Sequence, residues 1–270
     1  MTPPHFLLTR FNVATPGREV AVRNAPGWLE RRFDLFERYC LPSVAANRAH
    51  AFTWLVYFDR ETPDRFRQRI AATQQACPFV ARFIGPLDKQ QVIDDVRSRL
   101  PAGTRRVLTT RLDNDDAIAR DFLVRSARAA ADQPDGTVVN FPRGIAASGG
   151  ALFAARDESN PFTTLVESAT DLRTIWSVTH DALQRHFRIV QVDAPPAWLQ
   201  VIHGDNVTNR IKGHRLDSAA VLEGFAICPR HPVTPTRRLD LFLDRTVLHP
   251  LRRLREGAIS LAKMLLRRAR

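Results

Sequence analysis

Four short apolar segments in the first half of the chain alternate with stretches whose apolar residues recur at helical spacing. They are HFLLTRF (5–11), FTWLVYFD (52–59), FVARFIG (79–85) and RRVLTTRL (105–112). This alternation constrains the fold more than any other feature, because strand–helix–strand units imply a largely parallel sheet covered by helices. The helical stretches run from 27 to about 48 and over 64–76, 89–100 and 117–132, the first carrying Trp28, Leu29, Phe33, Phe36 and Leu41 as its stripe. Pro42 should interrupt or kink that helix, since proline offers no amide hydrogen. The second half is less regular. A strand is expected at 136–142, an antiparallel hairpin over 144–156 turning at Ser148-Gly149-Gly150, a helix within 171–187, and one or two strands over 188–206.

Ligands of such sheets bind beyond the carboxyl ends of the strands. The ends expected here carry Thr9-Arg10-Phe11-Asn12, then Asp59, then Asp113-Asn114-Asp115-Asp116. Three carboxylates within four residues repel one another unless a positive charge sits among them. Carboxylates two residues apart after a strand can present oxygens to one hard divalent cation, Mg²⁺ or Mn²⁺. An N-cap and acidic first turn for the helix that follows is the competing reading, with Asp116 the aspartate best placed to cap.

Composition sets the outer limits. The chain has 270 residues, 44% of them hydrophobic, enough for one large domain or one domain with an appendage. No uncharged run exceeds twelve residues, short of the ~20 apolar residues of a spanning helix. The opening MTPPHFLLTR has no basic start, apolar run and small-residue cleavage site, so export is not expected. Cys40, Cys77 and Cys228 are widely spaced and odd in number, which fits neither a disulfide framework nor a zinc motif and agrees with a reducing cytosol.

The segments TRFN, FTWLVYFD with Thr62 following, TTRLDNDDA and PAWLQVIHGDNVTNR together resemble a rhamnosyltransferase family of bacteria. The likeness runs from about Phe6 to Gly213. It implies an α/β, GT-A-like nucleotide-sugar transferase fold over 1–236, with a mostly parallel central sheet and a mixed C-terminal half. It also implies a divalent cation, Mn²⁺ or Mg²⁺. Carried over to this sequence, Asp113 and Asp115 stand where such enzymes have their DxD pair. Asp113 would approach the ribose or the metal, and Asp115 would ligate the metal that bridges the diphosphate. Asp59 resembles the aspartate that contacts the base, and Arg10 and Asn12 sit where the first strand delivers the nucleotide pocket. Arg111 would touch phosphate or pair with the cluster. His203 is placed as a further metal ligand. Asp181, after His180, resembles the general base of inverting members, with Asp205 and Glu167 as rivals; those members have Glu where this chain has His180.

The formal charge of +12 lies mostly in the tail, residues 237–270, which carry ten Arg or Lys against three Asp or Glu. There Val247, Leu251, Leu254, Ala258, Leu261 and Leu265 recur at spacings of 4,3,4,3,4, with arginines opposite. Such a helix suits an anionic membrane surface, or it packs on its own domain with a solvated basic face. The expected function is metal-dependent transfer of a deoxyhexose such as rhamnose from a nucleotide-diphosphate sugar to a hydroxyl of a surface glycan. The expected acceptor is a glycan or lipid-linked glycan, and the protein is expected in the cytoplasm or at the inner face of the cell membrane. A metal-dependent phosphoesterase or nucleotidyltransferase is the alternative. A nucleic-acid-binding module finds no zinc finger, helix-turn-helix or aromatic–basic interleaving in this sequence.

Overall fold

A computed structural model describes residues 2–14, 22–23, 25–204, 210–217, 219–228 and 236–268, the side chains of 219, 220 and 259–268 excepted. Four strands of the first half, β1 (His5–Arg10), β2 (Thr53–Asp59), β3 (Val80–Ile84) and β4 (Arg106–Arg111), form where the apolar runs lie. They pair in parallel. Along β1 and β2 both faces are buried: Leu7, Trp54, Val56 and Phe58 point into one core, and Phe6, Leu8, Leu55 and Tyr57 into the other. A strand covered on both sides has no solvent face to mark with polar residues, which is why these segments read as continuous apolar runs.

The first helix runs as α1 (Trp28–Leu35), a π-helical turn at Phe36–Cys40, and α2 (Leu41–Ala45). The wide turn lies just before Pro42, whose missing amide would break a regular ladder. α3 (Asp64–Ala76) and α4 (Lys89–Arg97) complete the alternation. After β4 the expected helix does not begin at 117. Instead β5 (Ala117–Ile118) comes first, and α5 (Phe122–Ala130) follows. Asn47 supplies the cap, its side-chain oxygen accepting the Leu123 amide at 3.0 Å.

The second half adds β6 (Thr137–Asn140), the hairpin β7 (Arg143–Ser148) and β8 (Ala151–Arg156), then β9 (Thr164–Ser168), β10 (Arg188–Gln191) and β11 (Trp198–Ile202). The main sheet has the order β10-β6-β9-β4-β1-β2-β3, and a second sheet the order β5-β11-β7-β8. In the main sheet only β9 runs antiparallel. The fold is the expected α/β arrangement, its main sheet mostly parallel with one antiparallel strand. Within 171–187 the helix is short: a 3-10 turn at His180–Ala182 and α6 (Leu183–His186). Gly144 lies against the Trp198 ring, where an added Cβ would come within 2.1 Å of a ring carbon, so only glycine leaves room for the indole there.

Glu167 is buried on β9 and binds the following loop. Its Oε1 accepts the amides of Arg173 and Thr174, each at 2.8 Å, and its Oε2 accepts the Thr109 hydroxyl at 2.9 Å. Thr174 takes a left-handed φ of 65° inside that loop. Burial, partly opposed by these hydrogen bonds, pushes the Glu167 carboxyl up to about 7. Because the folded state then holds a proton that the unfolded chain has already released, stability falls as pH rises from about 4.5 through 7. Unfolding in denaturant should show wild type losing about 2–3 kcal/mol relative to Glu167→Gln between pH 5 and 8. A constant difference would mean that the carboxylate is ionised throughout.

Candidate active site

The carboxyl ends of β1, β2 and β4 meet at one edge of the main sheet, and the second sheet brings the end of β11 to the same place. The acidic loop is anchored first. Asn114 is buried, and its amide donates to the main-chain oxygens of Arg10 and Phe11, both at 2.8 Å. Antiparallel pairing of β5 with β11 sets Leu199 opposite Ala117, and continuing that register carries Val201 and His203 back along the acidic loop. The Val201 amide donates to Asp116 at 2.8 Å, and His203 Nε2 lies 2.9 Å from Asp115 Oδ2. Asp116 therefore caps no helix, contrary to the expectation from its position. It closes the loop onto β11. Burial, reinforced by the charges of Asp115 and Asp113, pushes its carboxyl well above the usual range.

Asp115 behaves in the opposite way. Burial alone would raise its carboxyl, but the hydrogen bond from His203 and the charge of Arg32 outweigh burial and hold it below the usual range. Arg32 reaches Asp115 Oδ2 at 2.5 Å and Asn114 Oδ1 at 3.4 Å. Its guanidinium carbon lies 5.3 Å from the Trp28 ring centre. Sequence reasoning overlooked Arg32. The available signal was a charged residue four positions after Trp28, beside the otherwise apolar stripe of its helix.

The remaining candidates divide between the two sides of this pair. Asp113 uses both oxygens on Arg111, at 3.1 Å each, so Arg111 pairs with the cluster. Burial first, and then the charge of Arg111, lowers the His180 imidazole. Asp181, in the same turn as His180, is exposed to solvent. A hydrogen bond from Thr179 is the largest of the influences that lower the Asp181 carboxyl. On the other side Asp59 ends β2, receives Arg23 at 2.8 Å and is braced by Asn12, whose side-chain oxygen accepts the Asp59 amide at 3.0 Å. Arg10 is half-buried at the end of β1. Glu167 pairs with Val107, near the start of β4, which places it at the far end of the strand from the cluster and removes it as a rival base. Asp205 and Asn206 lie outside the described residues.

A divalent cation fits part of this site. Two ligands in adjacent positions of an octahedral shell with bonds of about 2.1 Å stand about 3 Å apart. Asp115 Oδ2 and His203 Nε2 stand 2.9 Å apart, a hydrogen-bond contact with the spacing of two adjacent ligands, and Arg32 occupies the same Oδ2. Among the described residues no group of three His, Cys, Asp or Glu side chains is arranged to hold a metal. Protein alone thus offers an incomplete shell, one that oxygens of a bound ligand would finish.

Residues 5–215 match the family described as "Putative rhamnosyl transferase". Among curated proteins no significant sequence match is found. Solved structures overlap more loosely. TarS of S. aureus has a TM-score of 0.42 at 12% identity, covering 75% of this chain and 37% of that one. The inositol-1-phosphate CTP transferase of T. maritima has a TM-score of 0.37 at 10% identity, covering 74% and 89%. A protein from Desulfovibrio desulfuricans G20, described as a putative nucleotide-diphospho-sugar transferase, has a TM-score of 0.38 at 11% identity, covering 74% and 82%. The chain spans little more than a third of the length of TarS.

Proposed function

The chain belongs to the rhamnosyl transferase family, and from that membership we propose that it transfers a deoxyhexose, rhamnose being the first candidate, from a nucleoside-diphosphate sugar to a hydroxyl of a surface glycan. The observation that supports this reading is the meeting of Asp115, His203 and Arg32 at the strand ends. We assign Asp115 and His203 as the residues that hold a divalent cation, Mn²⁺ or Mg²⁺. When bound, that cation offsets charge on the departing diphosphate. Arg32 keeps Asp115 ionised and adds a fixed positive charge beside the same group. Arg10, Asn12 and Asp59 line the nucleotide side at the ends of β1 and β2. Asp113 and Arg111 form the border between donor and acceptor. Asp181, ionised at neutral pH, takes the proton of the acceptor hydroxyl.

A screen for thermal stabilisation by nucleoside diphosphates, with and without Mn²⁺, tests this reading. Stabilisation by one diphosphate that grows with Mn²⁺ is the expected result. Hydrolysis of phosphoesters without an acceptor sugar would favour a phosphoesterase instead.

A further inference from the structure

Every large hydrophobic side chain that stands exposed among the described residues lies in the tail, between Leu239 and Leu254. Leu254 is 71% exposed, and Leu239 and Phe242 are 63% exposed each. The tail runs as α7 (Arg238–Leu243), a π-helical turn at Asp244–Leu248, and α8 (His249–Arg268). Among the described side chains of the tail, the contacts with the domain are made by polar residues. Asp244 is buried; it accepts the Arg215 amide at 2.6 Å and the Arg252 guanidinium at 2.5 Å. Arg252 also donates to the Gly213 carbonyl at 3.1 Å and lies 5.3 Å from the Phe153 ring centre. Asp240 pairs with Arg215 at 3.6 Å.

This is the reverse of ordinary helix packing, in which the apolar stripe is buried. The π-helical turn explains how it arises. In a regular helix Leu248 and Leu251 would follow Asp244 onto the domain side, at four and seven residues' distance. The extra residue in the turn advances the register, so His249 and Arg252 follow instead, and both are half-buried while Leu248 and Leu251 are exposed. The exposed arginines Arg238, Arg245, Arg253 and Arg255 lie along the same rod.

We propose that this outward face is a docking surface for an anionic lipid bilayer, with the leucines and Phe242 entering the headgroup boundary and the arginines meeting lipid phosphates. The inference does not depend on the chemistry assigned to the strand ends. Exposed apolar side chains flanked by arginine match the two attractions that hold an interfacial helix. A second copy of the chain is a poorer occupant, since its tail carries the same excess of ten basic over three acidic residues and would repel. The face also begins at Leu239, eight residues before the stripe that spacing alone identifies at Val247.

The test uses the full chain with vesicles of phosphatidylcholine, alone or mixed with phosphatidylglycerol. Co-sedimentation with the mixed vesicles only, reversed by raised salt, is expected. The double variant Phe242→Ser, Leu251→Ser should bind at least about tenfold more weakly with an unchanged melting temperature, because both side chains are exposed in the free protein. Truncation from Asp244 is a poorer test, since it also removes the Asp244–Arg252 contacts to Arg215 and Gly213. Absence of binding to anionic vesicles, or equal binding by wild type and the double variant, overturns the proposal. So does self-association of the wild type, lost in the variant, with no vesicle binding; the face would then be an interface between copies.

Discussion

Asp115→Asn is expected to lower turnover by about 10²–10³-fold, the range for loss of one preorganised group at a reacting charge. Its cation-dependent binding of nucleoside diphosphate should fall below detection by calorimetry. The substitution keeps shape and hydrogen-bonding capacity but removes the charge that Arg32 and His203 both address. It should also reduce stability, by roughly 3–5 kcal/mol, because it leaves the Arg32 guanidinium unpaired with its side chain only 14% exposed. The two effects can be separated. Arg32→Met in the Asp115→Asn background removes the orphaned charge and should recover much of the melting temperature without restoring turnover. Binding of nucleotide and Mn²⁺ by Asp115→Asn as tight as that of wild type would show that the cation assignment is wrong.

The parallel half of the fold was legible because burial on both faces leaves strands that are apolar without interruption. β1 to β4 fall within two residues of the segments read from sequence. β9 was not legible. TTLVES carries polar residues at both ends, and two of them, Thr164 and Glu167, are buried with partners supplied by β4. Satisfied buried polar groups look like surface to a hydrophobicity pattern. The start of the helix after the acidic loop was misplaced for a related reason. Ala117 and Ile118 share the apolar spacing of α5, yet they pair with β11, a long-range contact that overrides local propensity. That same pairing brings His203 to Asp115. Hence the strand ends of the site were legible from sequence, whereas Arg32, which comes from a helix some eighty residues upstream of Asp115, was not. In the tail the spacing left two sides open for the stripe, and one extra residue in the turn at Asp244–Leu248 decides between them, leaving Val247, Leu251 and Leu254 exposed.

His203→Ala should weaken donor binding and turnover while leaving the acceptor KM little changed. The reasoning rests on where β11 ends. His203 lies just beyond Ile202 and touches Asp115 Oδ2 at 2.9 Å, whereas Asp113 is engaged by Arg111. A neutral imidazole is a competent ligand for Mn²⁺. Loss of even an outer partner of a metal site typically costs 10–100-fold in affinity or activity, so loss of one of two assigned ligands should cost at least about tenfold in Mn²⁺-supported diphosphate binding. Asp181→Asn should show the complementary pattern. Donor binding should persist, because Asp181 is assigned to the acceptor hydroxyl and not to the diphosphate, while turnover falls by about 10²–10⁴-fold, as expected for removal of a general base. Titration calorimetry with the diphosphate, beside initial rates at varied acceptor, distinguishes the two variants. If His203→Ala raised the acceptor KM and left diphosphate binding intact, His203 would belong with Asp181 on the acceptor side, and Asp115 would hold the donor with Arg32 alone.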